Sequence, residues 1–183
     1  MDTYSGILAA YMAAMVGMVI VGVLVYVVTA FFLSKVFAKA GVQGTWKAWV
    51  PVYNFMIFFK LGDLSPWLVL YCFGGSILLS WIGIGFIFSL ALFVGGGVAA
   101  YRIGMKLGKE TGFVAFWLIP VVWLGIVAFG KEQWNTAVAP AQWASNAFLA
   151  DRTVWDGVPV QASSAVPPMA GPVAPVAPEN PAV

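Results

Sequence analysis

Apolar positions run with few breaks across residues 6–33, 66–81, 84–105 and 113–129, while polar and charged positions gather in the stretches between them. A helix of about 20 apolar residues crosses a ~30 Å hydrocarbon layer. The pattern therefore predicts four transmembrane helices and an all-α, polytopic membrane protein. The first run is too long for the core of a secretory signal, and the acidic Met1-Asp2-Thr3-Tyr4 precedes it, so a retained first helix is expected. Small residues recur every fourth position on two of these helices: Ala9, Ala13 and Gly17 on the first, and Gly96, Ala100, Gly104 and Gly108 on the third. Such stripes let a second backbone approach closely, and both are expected to be helix-packing faces. A hinge at Gly95, Gly96 and Gly97 is the competing reading, because glycine lowers helix propensity.

The connecting stretches have their own character. Residues 34–65 mix lysines and glycines with Trp46, Trp49, Pro51, Tyr53 and Asn54. Their apolar pieces are too short to span and are rich in the aromatics that favour the headgroup level. Short cytoplasmic interfacial helices are predicted here, broken at Pro51. Asn54 reads either as a ligand in a pocket or, more simply, as the cap of the following helix. Uncharged residues 81–85 form a tight turn of a helical hairpin, and residues 106–112 a basic turn that lacks the spacing of a phosphate-binding loop. Pro120 should kink the fourth span, and Gly130 should end it.

Composition supports the membrane reading: 62% of residues are hydrophobic and 9% charged, against about 45–50% and 25% in soluble domains. Seven of the nine Lys and Arg residues (Lys35, Lys39, Lys47, Lys60, Arg102, Lys106, Lys109) fall in the two basic segments. Basic residues beside a span resist translocation, which predicts cytoplasmic basic loops and, with four spans, N- and C-termini outside. A net charge of +2 offers nothing for nucleic acid. With no histidine and a single cysteine, Cys72, the chain has no Ser-His or Cys-His pair and no typical zinc site; no cofactor or metal is expected. Asp63, Glu110 and Lys109 are the only loop groups an enzyme could use, and their spacing fits no acid–base arrangement.

Beyond a transmembrane domain over residues 1–134, two further segments follow. Residues 135–157 carry Trp143, Phe148 and Trp155 among small and polar residues, an amphipathic outer segment suited to docking a partner. Residues 158–183 are a Pro/Ala-rich tail, expected to be disordered or, alternatively, an extended arm.

Lys39-Ala40-Gly41, Gly44, Trp46, Ala48, Pro51-Val52-Tyr53-Asn54 and Pro66-Trp67, followed by Gly108-Lys109, Gly112-Phe113, Leu118, Pro120, Leu124-Gly125 and Phe129-Gly130, resemble a family of small bacterial integral-membrane proteins without an assigned activity. Its domain also precedes some type I signal peptidases. The resemblance covers about residues 35–134 and implies a bacterial inner-membrane setting and a compact fold, but no reaction. Peptidase activity is not expected to carry over to these residues. The expectation is a non-enzymatic structural or accessory subunit in the lipid bilayer, bound to another membrane protein or complex, with Trp46, Trp49, Pro51, Tyr53, Asn54, Trp143 and Trp155 as interfacial or partner residues. The alternative is a small oligomeric transporter or channel, weakened by the lack of ionisable residues within the spans; Lys60 and Arg102 sit near predicted ends, where they can snorkel.

Overall fold

A computed structural model describes residues 3–164, of which all regular elements are helical. Five α-helices, α1 (Thr3–Lys39), α2 (Tyr53–Leu61), α3 (Trp67–Leu78), α4 (Gly85–Lys106) and α5 (Pro120–Phe129), are joined by 3-10 segments at Thr45–Trp49, Ser80–Ile82 and Thr111–Leu118. Two of them, α1 and α4, are long and apolar enough to cross a membrane. The others are shorter: α3 has 12 residues and α5 has 10.

The single span expected over residues 113–129 is instead two short elements running in opposite directions. Pro120 has no N–H to continue a helix, and at Ile119 (φ −124°, ψ 86°) the chain turns back on itself. Both ends of the excursion lie together: Lys109 pairs with Glu132, and the Asn135 N–H donates to the Lys106 carbonyl (2.8 Å). Its middle lies deep along α4, where Trp117 Nε1 donates to the Phe93 carbonyl (3.0 Å). The leg Thr111–Leu118 thus descends beside α4, and α5 climbs back.

Residues 45–61 do the same beside α1. Tyr26, about 20 Å along the axis from Lys39, donates its hydroxyl to the Trp49 carbonyl (2.6 Å), so Thr45–Trp49 descends. The chain reverses through Pro51 and Val52, where the Tyr53 N–H bonds the Pro51 carbonyl (2.7 Å) in a γ-turn. Val52 takes φ 65°, ψ −50°, a rare conformation for a β-branched residue. The returning α2 is no interfacial helix: seven of its nine residues are buried, because Met56, Ile57, Phe58, Phe59 and Leu61 present apolar side chains all around it.

These two excursions are copies of one unit. Both α1 and α4 end in a lysine followed two residues later by a glycine in the left-handed region, Lys39 before Gly41 (φ 79°) and Lys106 before Gly108 (φ 67°). In each, the next N–H reaches back to the same carbonyl of the last turn, Val42 to Phe37 (2.9 Å) and Lys109 to Gly104 (2.9 Å), the bonding of a Schellman cap that only glycine enters without strain. At a near-constant offset along the chain, Gly44 matches Gly112, Trp49 matches Trp117, Pro51 matches Pro120, and Gly62 matches Gly130. The copies interlock. Lys39 donates to carbonyls at the end of α5, Val127 (2.6 Å) and, just past it, Gly130 (2.5 Å), while Lys106 donates to the last carbonyl of α2, Leu61 (2.6 Å). Each lysine thereby places a positive charge at the negative pole of the other copy's short helix.

Between the copies the core is aromatic: Phe58 stacks on Trp117 (centroids 5.5 Å apart), and Trp123 meets both edge-on. The helical pair α3–α4 closes through Ser80–Ile82 and Gly83. The N-terminal part of α1 stands apart, with every side chain from residue 4 to residue 25 exposed.

Candidate functional site: a buried ionic network under the C-terminal cap

Lys39, Lys60, Arg102, Lys106 and Lys109 lie at one end of the bundle, called the basic end below. Residues 135–164 fold over it. The segment expected to lie apart from the basic loops is instead packed against them, because the two excursions return the chain to the end it left. Residues 158–164, expected to belong to a disordered tail, are packed, with Val158, Gln161, Ser163 and Ser164 buried; the rest of that tail lies outside the described residues.

Two fully buried carboxylates organise the contact. Asp63 sits in the left-handed region (φ 62°) just past the end of α2, which turns its carboxylate toward α4. It accepts from Arg102 Nε (2.7 Å) and Lys106 Nζ (3.0 Å). Its carbonyl takes the Trp143 Nε1–H (2.8 Å) from the cap. Asp151, on the cap, accepts from Lys60 Nζ (2.7 Å), the Ser164 hydroxyl (2.9 Å) and the N–H and hydroxyl of Thr153. Lys60 also donates to the Thr153 carbonyl and Oγ1 and lies over the Trp155 ring.

Lys106 also ties the bundle to the cap, since its third donor goes to Gln161 Oε1 (2.8 Å). The Arg102 guanidinium also holds the Ala139 carbonyl (2.8 Å). Three cations thus face two carboxylates, and the excess charge lies at the carbonyl end of α2, where a helix carries partial negative charge. Every Lys60 and Lys106 donor has a partner. Removing one member of such a buried set strands the others, at a cost of about 3–5 kcal/mol.

The arrangement ties the cap to the bundle through buried ion pairs and hydrogen bonds. Two cavities among the described residues, of about 390 and 540 Å³, are lined by none of Lys60, Asp63, Arg102, Lys106 and Asp151. Among the described residues no three His, Cys, Asp or Glu side chains come together. Glu110 is exposed, and Lys109 is paired with Glu132. That hydrogen bond from the Lys109 ammonium holds the Glu132 carboxyl below the usual carboxylate range.

The other singled-out residues fall out as follows. Ala9, Ala13 and Gly17 are exposed, and nothing within the chain approaches Gly17. Gly96, Ala100 and Gly104 are buried; a Cβ at Gly96 would lie 2.5 Å from Trp117 Cζ2. Gly108, by contrast, is exposed and serves as a helix terminator, not a packing residue. Trp46, Trp49 and Pro51 are exposed. Asn54 is not the cap of α2: it is buried within the helix, and Nδ2 ties back to the Ala48 carbonyl (3.1 Å) across the Pro51 turn. Tyr53 stacks on Trp155 (5.5 Å), and Trp143 is bonded to Asp63, so both cap tryptophans serve the chain's own fold. Lys60, Asp63, Arg102, Lys106, Asp151 and Gln161 were not visible as a group in the sequence. The repeated Lys-x-Gly and Trp-to-Pro landmarks were the signal that could have brought Lys39 and Lys106 forward.

No protein-family model, curated protein or solved structure matches this chain.

Proposed function

We propose that this is a multi-pass protein of the bacterial inner membrane that acts as a non-enzymatic accessory subunit, with α1 as the helix that meets its partner. The observation that carries this reading is α1 itself: residues 4–25 form an apolar helix whose side chains are all exposed, and Ala9, Ala13 and Gly17 leave one side of it smooth. Exposure of that extent is supported by lipid and not by water. A smooth stripe is where a second helix gains packing in a bilayer.

In this reading α1 and α4 cross the bilayer, the shorter α3 leads the chain through Ser80–Ile82 to the start of α4, and the two copied excursions enter and return. The reversals satisfy their own backbone, as burial in a membrane demands. Tyr26 bonds the Trp49 carbonyl, Asn54 N bonds the Val50 carbonyl, Trp123 N bonds the Ile119 carbonyl, and each turn carries a proline with no N–H to satisfy. The basic end and the cap then face the cytoplasm, and the N-terminus lies outside.

A photocrosslinking residue at Ala13 tests the reading in living cells. The expected product is one discrete adduct with a second integral membrane protein, lost when Ala9 and Gly17 are enlarged to leucine. Adducts with lipid alone would overturn it. The second reading, transport, is favoured by a cavity between the copies, since transporters place their sites at repeat interfaces. Solute movement by the isolated protein in vesicles would select it.

A further inference from the structure

The cavity between the two copies has a composition that defines its occupant. It encloses about 390 Å³, within the range of small-ligand sites. Its walls are repeat-related: Val25 on α1 matches Leu92 on α4, Thr29 matches Gly96, and Phe55 on α2 matches Leu124 on α5. The cavity therefore lies where the two copies face each other. Val25 and Leu92 each lie about 20 Å along their helices from the terminal lysine.

Its polar lining groups are already engaged. The Thr29 hydroxyl donates to the Val25 carbonyl (2.7 Å), the Ser89 hydroxyl is directed at the Gly85 carbonyl, and the Trp117 N–H is held by the Phe93 carbonyl. No charged side chain lines it. A cavity of that kind holds no water and takes apolar ligands. Its mouth is lateral, where Val25, Phe55 and Phe93 remain 48%, 38% and 39% exposed.

We propose that this cavity binds one acyl chain of a bilayer phospholipid, which enters sideways between α1 and α4 and fills the contact between the copies. The proposal rests on bilayer insertion of α1 and α4, but on neither the accessory nor the transport reading. Depth selects a lipid tail, the one abundant apolar molecule at that level, and the lateral mouth leaves the headgroup outside.

The test uses the full chain in phosphatidylethanolamine/phosphatidylglycerol vesicles carrying a trace of phospholipid with a diazirine in its acyl chain. After irradiation, adducts are mapped by mass spectrometry. Labelling of Phe55, Leu92 and Val121 is expected to exceed that of the freely exposed α1 face at residues 8–19 several-fold. It should fall to the level of that face in Val25→Trp and in Ser89→Phe, which fill the cavity from different helices. Thr29→Val, which removes a hydroxyl the ligand does not use, should leave it unchanged. The ratio in the parent protein decides alone should the filled variants fail to accumulate. Cavity labelling no higher than that of the exposed face, labelling unaltered by both fillers, or labelling by a free photoactivatable fatty acid and not by the phospholipid would each overturn the proposal.

Discussion

The two copies of the helix–turn–helix unit share a frame and differ in what closes it. At the end of α5, Lys39 reaches two carbonyls from a half-buried position, and the chain leaves through Gly130 toward solvent. At the end of α2, Lys106 reaches one carbonyl and is sealed in, together with Asp63, Arg102 and Gln161, beneath residues 135–164. One arrangement of backbone thus supports an open end and a closed one. The repeat supplies the lysine in each case, and the cap alone turns it into part of a buried network. Stability at the basic end is consequently expected to be unequal between the copies, although their backbones correspond.

Lys106→Ala breaks that equivalence most. It leaves Asp63 short of one cation and takes the ammonium from the Leu61 carbonyl and Gln161 Oε1, so a loss of about 3–5 kcal/mol is expected, read as a drop in Tm in mild detergent. Lys39→Ala removes charge-assisted hydrogen bonds at a wetter end and should cost about 1.5–3 kcal/mol. Equal losses would mean that the cap contributes nothing to the first copy. Combining Lys106→Met with Asp63→Leu sharpens the point: Arg102 then loses its carboxylate while still buried, so the double variant should recover little of the stability lost by Lys106→Ala.

Gly41→Ala and Gly108→Ala probe the shared frame. Both glycines hold positive φ, and a Cβ there costs about 1–2 kcal/mol, so the two variants should lower Tm by similar amounts. The smallest effect concerns pH. Because Glu132 titrates below its ordinary value when folded, its contribution is present above the unfolded carboxylate pKa and is lost as pH falls through the lower, folded one. Being partly exposed, the Lys109–Glu132 pair is worth less than about 1 kcal/mol. Glu132→Gln should flatten that part of the stability–pH curve below neutral pH.

Hydropathy made α1 and α4 legible, since length and uninterrupted apolar character are what a spanning helix requires. The buried face at Gly96, Ala100 and Gly104 was legible for a similar reason: small residues at one helical spacing. The excursions were not, because a descending 3-10 leg plus a returning helix has the same summed hydropathy as one span, and Pro120 reads equally as kink or reversal. Nor was the network. Lys60 and Arg102 look like snorkelling residues at span ends until Asp151 and Asp63 are placed beside them, and Asp151 is remote from Lys60 in the chain. In sequence Trp143 and Trp155 read as partner anchors because no core is visible around them, whereas in the fold they and the Lys60–Asp151 pair hold their own segment down.

The placement of residues 135–164 over the basic end is the claim on which the rest depends, and paired cysteine labelling tests it directly. In a Cys72→Ser background, single cysteines at the exposed positions Thr45 and Ser145 are treated with an impermeant thiol reagent in intact cells and in inverted vesicles. Both should be protected in cells and both should react in inverted vesicles. Protection at Thr45 with reaction at Ser145 in intact cells would place the two segments on opposite sides of the membrane and contradict the fold-back.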